Sequence, residues 1–144
     1  MSEVPAEQAE IVRRLWEAVE RDEIEKWLVL CDEEMEIKNP DRWPTPGPYR
    51  GHDGVRQWAA HNWEVFSGLH HEVEEIIPAG EDKVVSVQRT QGKMMHTGIE
   101  MDEPWAAVWT FRNGKALSAH GYFSREKALE AAGVPPSGEG GDPE

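Results

Sequence analysis

Asn113-Gly114 separates two runs, residues 105–112 and 115–123, in which large and small side chains alternate. Both turn residues tolerate a positive φ, which a two-residue hairpin turn needs if its twist is to match that of the flanking strands. The dipeptide therefore commits this part of the chain to a long antiparallel hairpin. By the period of two, Trp105, Ala107, Trp109 and Phe111 share one face, and Leu117, Ala119, Gly121 and Phe123 share another. A sheet face that sets indoles beside alanine and glycine either interlocks with helices or leaves a hollow between its large side chains. The hairpin is where a pocket is expected.

Upstream, Ile11, Val12, Leu15, Trp16 and Val19 recur at helical spacing, with Arg13, Arg14, Glu17 and Glu20 on the other side. Asp22 and Glu25 resemble a capping box, and Ile24, Trp27, Leu28 and Cys31 form the stripe of a second, short helix. Met35 and Ile37 alternate in a short strand that Pro40 ends. Residues 41–49 hold three prolines and a glycine and are expected as an extended loop, with Trp43 and Tyr49 at the mouth of the pocket. Val55, Trp58, Ala59, Asn62 and Phe66 mark a third helix, Asn62 being the one polar member of its stripe. The segments from His71 onward are expected as strands of one antiparallel sheet, and Ser124 caps a last short helix closed by Gly133. One α+β domain over residues 1–133 is predicted, its three N-terminal helices packed on a strongly curved antiparallel sheet, followed by a disordered acidic Pro/Gly tail over 134–144.

Charge and cysteine usage narrow the function classes. Fifteen basic against 28 acidic residues give a net charge of −13, which repels phosphate backbones and anionic membranes, so no nucleic acid and no membrane is expected as a partner. The single cysteine excludes an internal disulfide, and with neither a signal core nor an apolar span a cytoplasmic location is expected. The six histidines show no metal-ligand spacing, so no metal and no cofactor is expected. Cys31 has no evident base partner and no phosphate-cradling loop is present, which argues against nucleophilic acyl transfer. Seven tryptophans imply either an aromatic core or an indole-lined cavity.

The order of elements, together with GPYRGHDGVRQW, VWTFRNGK and YFSREKALEAAGV, resembles the SnoaL-like family of the nuclear-transport-factor-two-like superfamily, which includes ketosteroid isomerase and scytalone dehydratase. The resemblance covers about residues 8–133 and implies a cone-shaped fold with an apolar pocket, often dimeric, that hosts cyclases, isomerases, hydratases and non-catalytic members. Against the isomerases, Asn39 stands in place of the carboxylate base, Leu15 in place of the oxyanion-hole tyrosine, Ala107 in place of the protonated aspartic acid, and Ala59 in place of a second tyrosine. An amide cannot shuttle a proton at neutral pH. Isomerase activity is therefore rejected, and the pocket is kept.

Alternation and resemblance place Trp58, Asn62, Trp105, Trp109 and Phe123 as ligand-binding residues, with Asn39, Trp43 and Tyr49 near the mouth. Val85, Val87 and Arg89 are expected on the pocket face of their strand and Glu103 on the face of Trp105, so that Arg89 and Glu103 pair as a polar floor and serve as catalytic groups with Asn39 and His120. His120 and Tyr122 alternate to the far face, where Ser86, Gln88, Ala106, Val108 and Thr110 complete a surface for an isologous homodimer. A register slip or bulge would instead bring His120 and Tyr122 inward as an acid-base pair. Two functions stand open: an enzyme transforming a small hydrophobic or polycyclic metabolite by general acid-base catalysis, or a non-catalytic carrier or dimerisation module.

Overall fold

The computed structural model describes residues 4–40 and 47–134, so the expectations for Trp43 and for the tail beyond residue 134 lie outside the described residues. Its elements run α1 (Val4–Glu20), α2 (Ile24–Val29), β1 (Cys31–Lys38), β2 (Tyr49–Arg50), α3 (Gly51–Val65), β3 (Phe66–Pro78), β4 (Lys83–Met94), β5 (Glu100–Arg112), β6 (Lys115–Tyr122) and α4 (Arg125–Ala131). The six strands form one sheet in the order β2-β1-β6-β5-β4-β3. With helices on the curved sheet this is the expected α+β architecture, but the sheet is mixed. β1 runs parallel to β6, while every other neighbouring pair is antiparallel. Alternation reports which face a side chain takes and is silent on strand direction, which is why the single parallel pair was not foreseen.

The hairpin forms as its turn requires: Asn113 and Gly114 have φ of 52° and 78°. β5 keeps the expected phase, with Trp105, Ala107, Trp109 and Phe111 all buried in the larger core cluster. β6 does not keep its phase throughout. Phe111 pairs with Ala116 and Thr110 with Ser118, so a bulge at Leu117 puts Ala116 into the core in place of Leu117. Beyond the bulge Ala119 pairs with Trp109 and Gly121 with Ala107, on the expected face. At the α1–α2 corner Asp22 takes φ 58° and Glu23 is the N-cap without a side-chain cap bond, so the capping box does not form. Cys31 belongs to β1 and lies across from Ala116.

The main correction concerns β4. Directly opposed residues of an antiparallel pair share a face, and β5 Trp109, Ala107 and Trp105 lie across from β4 Val84, Ser86 and Gln88. Ser86 and Gln88 are therefore inside the concave face and completely buried, while Val85 and Val87 lie on the convex face. The sequence phase failed here because residues 84–88 are buried on both faces. A strand covered on both sides loses the polar alternation that would fix its orientation.

That double cover comes from helices on each face. On the concave side α1 packs on β3 and β4 and α3 on β1 and β3. Val12, Leu15 and Trp16 from α1, with Val55 and Trp58 from α3, enter the larger cluster, as their helical spacing predicts. On the convex side α4 lays Ala128 and Leu129 against Val85, Val87, Ala106 and Val108. Ser124 caps α4 by accepting from the Lys127 N–H at 3.2 Å, and Arg125 ties it to Glu75 of β3 through two bonds of 3.1 Å. The face expected to pair two copies is thus in good part covered by the chain's own last helix, and two of its expected members, Ser86 and Gln88, point the other way.

Candidate functional site

The concave interior holds a continuous train of aromatic rings. Trp27 of α2 stacks on Trp58 of α3 with centroids 5.5 Å apart and lies 6.1 Å from Trp109 of β5. Trp16 of α1 meets Trp109 and Trp105 edge-on at 6.0 Å each, and His71 of β3 lies 4.8 Å from Trp16 and 5.6 Å from Trp105, stacked on the latter. Three of these indole N–H groups are anchored on small polar side chains. Trp16 and Trp109 both donate to the Ser86 hydroxyl, at 3.2 and 2.9 Å, and Trp58 donates to Asn39 Oδ1 at 3.0 Å. Large rings on one wall and Ala107, Ala119 and Gly121 on the other leave only small gaps between them.

Two cavities remain. One of about 30 Å³ lies where the α1–α2 corner faces α3 and β3, among Ala18, Val19, Ile24, Asn62, Leu69 and His71. The other, of about 20 Å³, lies deeper among Trp16, Trp27, Asn39, Trp105, Ala107 and Trp109. Trp58 and Val19 line both. Each space is sufficient for about one water molecule. The space beside Trp105 and Trp109, where a hollow was expected, is nearly filled by Trp16, Trp27 and Trp58 and keeps only the second small cavity.

The polar content of this interior is distinctive. The buried polar side chains among the described residues are Gln8, Asn39, Asn62, His71, Ser86, Gln88 and Thr90, with no carboxylate, lysine or arginine among them. Ser86, Gln88 and Thr90 form one stripe along the concave face of β4. Gln88 is fully buried, and neither end of its amide finds a hydrogen-bond partner. His71, 4% exposed, has Nδ1 at 2.9 Å from Thr90 Oγ1, while its Nε2 has no partner. Burial pulls the imidazole down to about 3, so the ring is neutral. A neutral imidazole has one donor and one acceptor nitrogen, and with Nδ1 engaged by Thr90 either tautomer leaves Nε2 a buried hydrogen-bonding atom without a protein partner.

His71 was not singled out by sequence reasoning. The signal was the alternation of His71 with the core residue Val73. At the mouth, the Glu20 carboxylate accepts from the His71 backbone N–H at 2.6 Å and contacts His70 Nδ1 at 2.6 Å, so the end of α1 clamps the start of β3.

Of the expected ligand-binding residues, Trp58, Asn62, Trp105 and Trp109 line the cavities, together with Asn39. Tyr49 is buried against α3, its hydroxyl 2.8 Å from His61 Nδ1, and lines neither cavity. Phe123 lies at an outer groove. The expected Arg89–Glu103 pair does not form. Arg89 lies across from Pro104 and Glu103 across from Thr90, so the two occupy opposite faces. Arg89 instead meets Asp102 at 2.6 Å, and Glu103 is exposed. The expected register placed Arg89 opposite Met101; the actual one differs by three residues, and an odd shift reverses the face. His120 does take the convex face, where Nε2 lies 3.1 Å from Glu36 Oε1. That contact holds the Glu36 carboxyl below its ordinary range, with Arg50 assisting.

Cys31 is buried and its thiol is pushed up to about 12, chiefly by desolvation, which leaves it inert at neutral pH. Among the described residues no three His, Cys, Asp or Glu side chains gather as a metal site, and no helix is long and apolar enough to cross a membrane.

The model of the SnoaL-like domain family matches residues 12–119. The chain belongs to this family. Solved structures give the same fold. A nuclear-transport-factor-two-like protein of Burkholderia thailandensis is 24% identical with a TM-score of 0.75, over 94% of this chain and all of that one. A second, from Burkholderia xenovorans, is 24% identical with a TM-score of 0.73, over 88% of this chain and 95% of that one. TerC, co-crystallised with polyporic acid, is 23% identical with a TM-score of 0.70, over 87% of this chain and 97% of that one. No curated protein matches the sequence. Within this SnoaL-like domain, the positions compared above with the isomerase machinery, Leu15, Asn39, Ala59 and Ala107, bring no titratable group to the cone.

Proposed function

We propose that this SnoaL-like domain binds a small, uncharged, largely aromatic molecule in its cone, with His71, Asn62 and Gln88 as hydrogen-bonding groups. The observation that carries this reading is His71: a neutral, buried imidazole with an unpartnered nitrogen lines a cavity inside an interior that, among the described residues, holds no buried charge. Leaving such an atom unsatisfied costs about 1–3 kcal/mol, which a ligand hydroxyl or carbonyl recovers. Indole faces supply the apolar contact, and the charged residues that line the cavities, Asp22, Glu23 and Lys38, are not among the buried side chains, so a charged ligand deep among the rings would be costly to desolvate.

Binding of a one- or two-ring molecule needs more room than the two cavities offer. Trp58 forms the wall between them, and its displacement joins both into one space with the volume of an indole added. The ligand thus exchanges one aromatic group for another. The co-crystallisation of TerC, which shares the fold, with polyporic acid supports a small-molecule occupant.

An acid-base enzyme is the second reading, and His71 is the residue that favours it, as a buried titratable group lining the cavity that Asp22 and Glu23 also border. At about 3 its proton affinity is too low for a base at neutral pH. A ligand that accepts from the imidazole or admits water beside it would raise that value. The test titrates the full chain with 2-naphthol and follows indole emission and the thermal midpoint. Saturable quenching that is lost in His71→Phe and weakened in Asn62→Leu is expected. The absence of any shift in emission or melting up to the solubility of the probe would return the cone to a purely structural role.

A further inference from the structure

His71 and Trp27 each hold a buried hydrogen-bonding atom that no described residue engages, and each lines a different one of the cone's two cavities. His71 Nε2 belongs to the cavity at the α1–α2 corner. Trp27 of α2 is 1% exposed and lines the deeper cavity, and its indole Nε1–H finds no acceptor. Trp16, Trp58 and Trp109 in the same interior each donate to an oxygen, at 2.9 to 3.2 Å. Those oxygens are in use: Ser86 Oγ accepts from two indoles, and Asn39 Oδ1 accepts from Trp58.

The two atoms make different demands. An indole N–H only donates, so whatever meets Trp27 must be an acceptor. His71 has Nδ1 engaged by Thr90 at 2.9 Å, and its Nε2 takes either role according to the tautomer. Trp58 and Val19 line both cavities, so a molecule that takes the place of the Trp58 ring reaches both places at once. Between them it meets indole faces, and at each end one polar atom. A ligand that enters such a place displaces solvent and has to replace the hydrogen bonds that solvent supplies.

We propose that the cone selects a flat aromatic molecule with an oxygen at each end: a hydroxyl at His71 Nε2, and an ether or carbonyl oxygen that accepts from the Trp27 N–H. This rests on the reading of the cone given above and adds to it a second polar contact and a class of ligand. A hydroxyl at one end alone leaves the Trp27 donor buried without a partner, which is the costly state for a polar group.

The test uses the full chain with three probes: 2-naphthol, 6-methoxy-2-naphthol and 6-ethyl-2-naphthol, the last matching the second in size without its ether oxygen. Affinities come from calorimetry, and the Trp27 indole N–H resonance is followed in nitrogen–proton correlation spectra. The methoxy compound should bind about tenfold more tightly than the ethyl compound, and it alone should move the Trp27 resonance downfield. Trp27→Phe removes the N–H and keeps a ring, and should bring the two affinities together. His71→Phe should weaken both by a similar factor. Equal affinities in the parent would overturn the proposal, while 2-naphthol binding that depends on His71 would leave the one-ended reading of the cone standing. A gain for the methoxy compound without a Trp27 shift would put its oxygen on another donor, and an equal shift with both probes would mean that Asn39 turns to Trp27 itself; either overturns it. Failure of all three probes to bind would remove the cone reading and this one together. The spectra of the parent decide the outcome even if Trp27→Phe does not fold.

Discussion

Trp16 and Trp109, from a helix and a strand far apart in sequence, donate their indole N–H groups to the same acceptor, the Ser86 hydroxyl, at 3.2 and 2.9 Å. A hydroxyl oxygen has two lone pairs, so one small side chain satisfies two large buried ones and ties α1 to the centre of the sheet. Ser86→Ala leaves both donors without an acceptor in a dry interior. At about 1–3 kcal/mol for each unsatisfied donor, the variant should lose roughly 2–6 kcal/mol in urea unfolding. A loss below about 1 kcal/mol would mean that the indoles find other acceptors and that Ser86 is not the anchor.

His71 should make stability fall as the solution is acidified. Its folded value of about 3 lies below the ordinary histidine value of 6.5, so between these limits the unfolded chain takes up a proton that the folded chain does not. The stabilising contribution is complete above about pH 6.5 and declines by up to about 1.4 kcal/mol per unit as pH drops toward 3. The carboxyls of Asp32 and Glu36, lowered mainly by bonds to Arg112 and His120 respectively, add their own loss at the acid end of that range. Denaturant unfolding of the protein and of His71→Gln from pH 7 to 4.5 separates the two. The variant should be less stable at pH 7 but should lack the decline that sets in just below pH 6.5.

The legible parts of this fold were those with one wet face and one dry one. The helical stripes of α1 and α3, the Asn113-Gly114 turn and the phase of β5 all emerge from spacing because polar residues mark their outer sides. β4 was misassigned for the opposite reason: α1 covers one of its faces and α4 the other, so Val84 to Gln88 carry no outward polar residue to set the phase. That single error moved Ser86 and Gln88 from the core to an expected dimer surface. The site followed the same logic. Trp58, Asn62, Trp105 and Trp109 were placed by helix and strand period, whereas the Arg89–Glu103 pair depended on a hairpin register that no local signal fixed. His71 escaped notice because its neighbour in sequence, His70, faces out, and only the tertiary packing of Trp16 and Trp105 around the ring shows that it is dry.

Glu103→Gln and Arg89→Met should be nearly silent. Glu103 is exposed, and the Arg89–Asp102 pair lies at the surface, where ion pairs contribute about 0–1 kcal/mol. Both variants should keep the thermal midpoint within about 3 °C and bind 2-naphthol as the parent does. A tenfold loss of affinity in either would show that ligand binding rearranges β4 against β5 and would restore a role for these residues.

Trp58 offers the sharpest test of how the cone admits a ligand. Its ring lines both cavities, stacks on Trp27 at 5.5 Å and holds Asn39 through a 3.0 Å bond. Trp58→Ala removes the ring and joins the spaces. A change of this kind typically costs about 3–5 kcal/mol, and here it also leaves the buried Asn39 amide without its indole donor. If the ligand enters by taking the place of this ring, added indole should refill the gap, donate to Asn39 and recover much of the loss. Saturation at 100 times the dissociation constant corresponds to about 2.7 kcal/mol of stabilisation. The thermal midpoint of Trp58→Ala should therefore rise with indole concentration more steeply than that of the parent, whose own Trp58 competes for the space. Trp58→Leu, which keeps part of the volume, serves if the alanine variant does not fold. A variant that folds and shows no rise at millimolar indole would mean that the surrounding rings collapse into the gap, and that the cone is filled too adaptably to present a site.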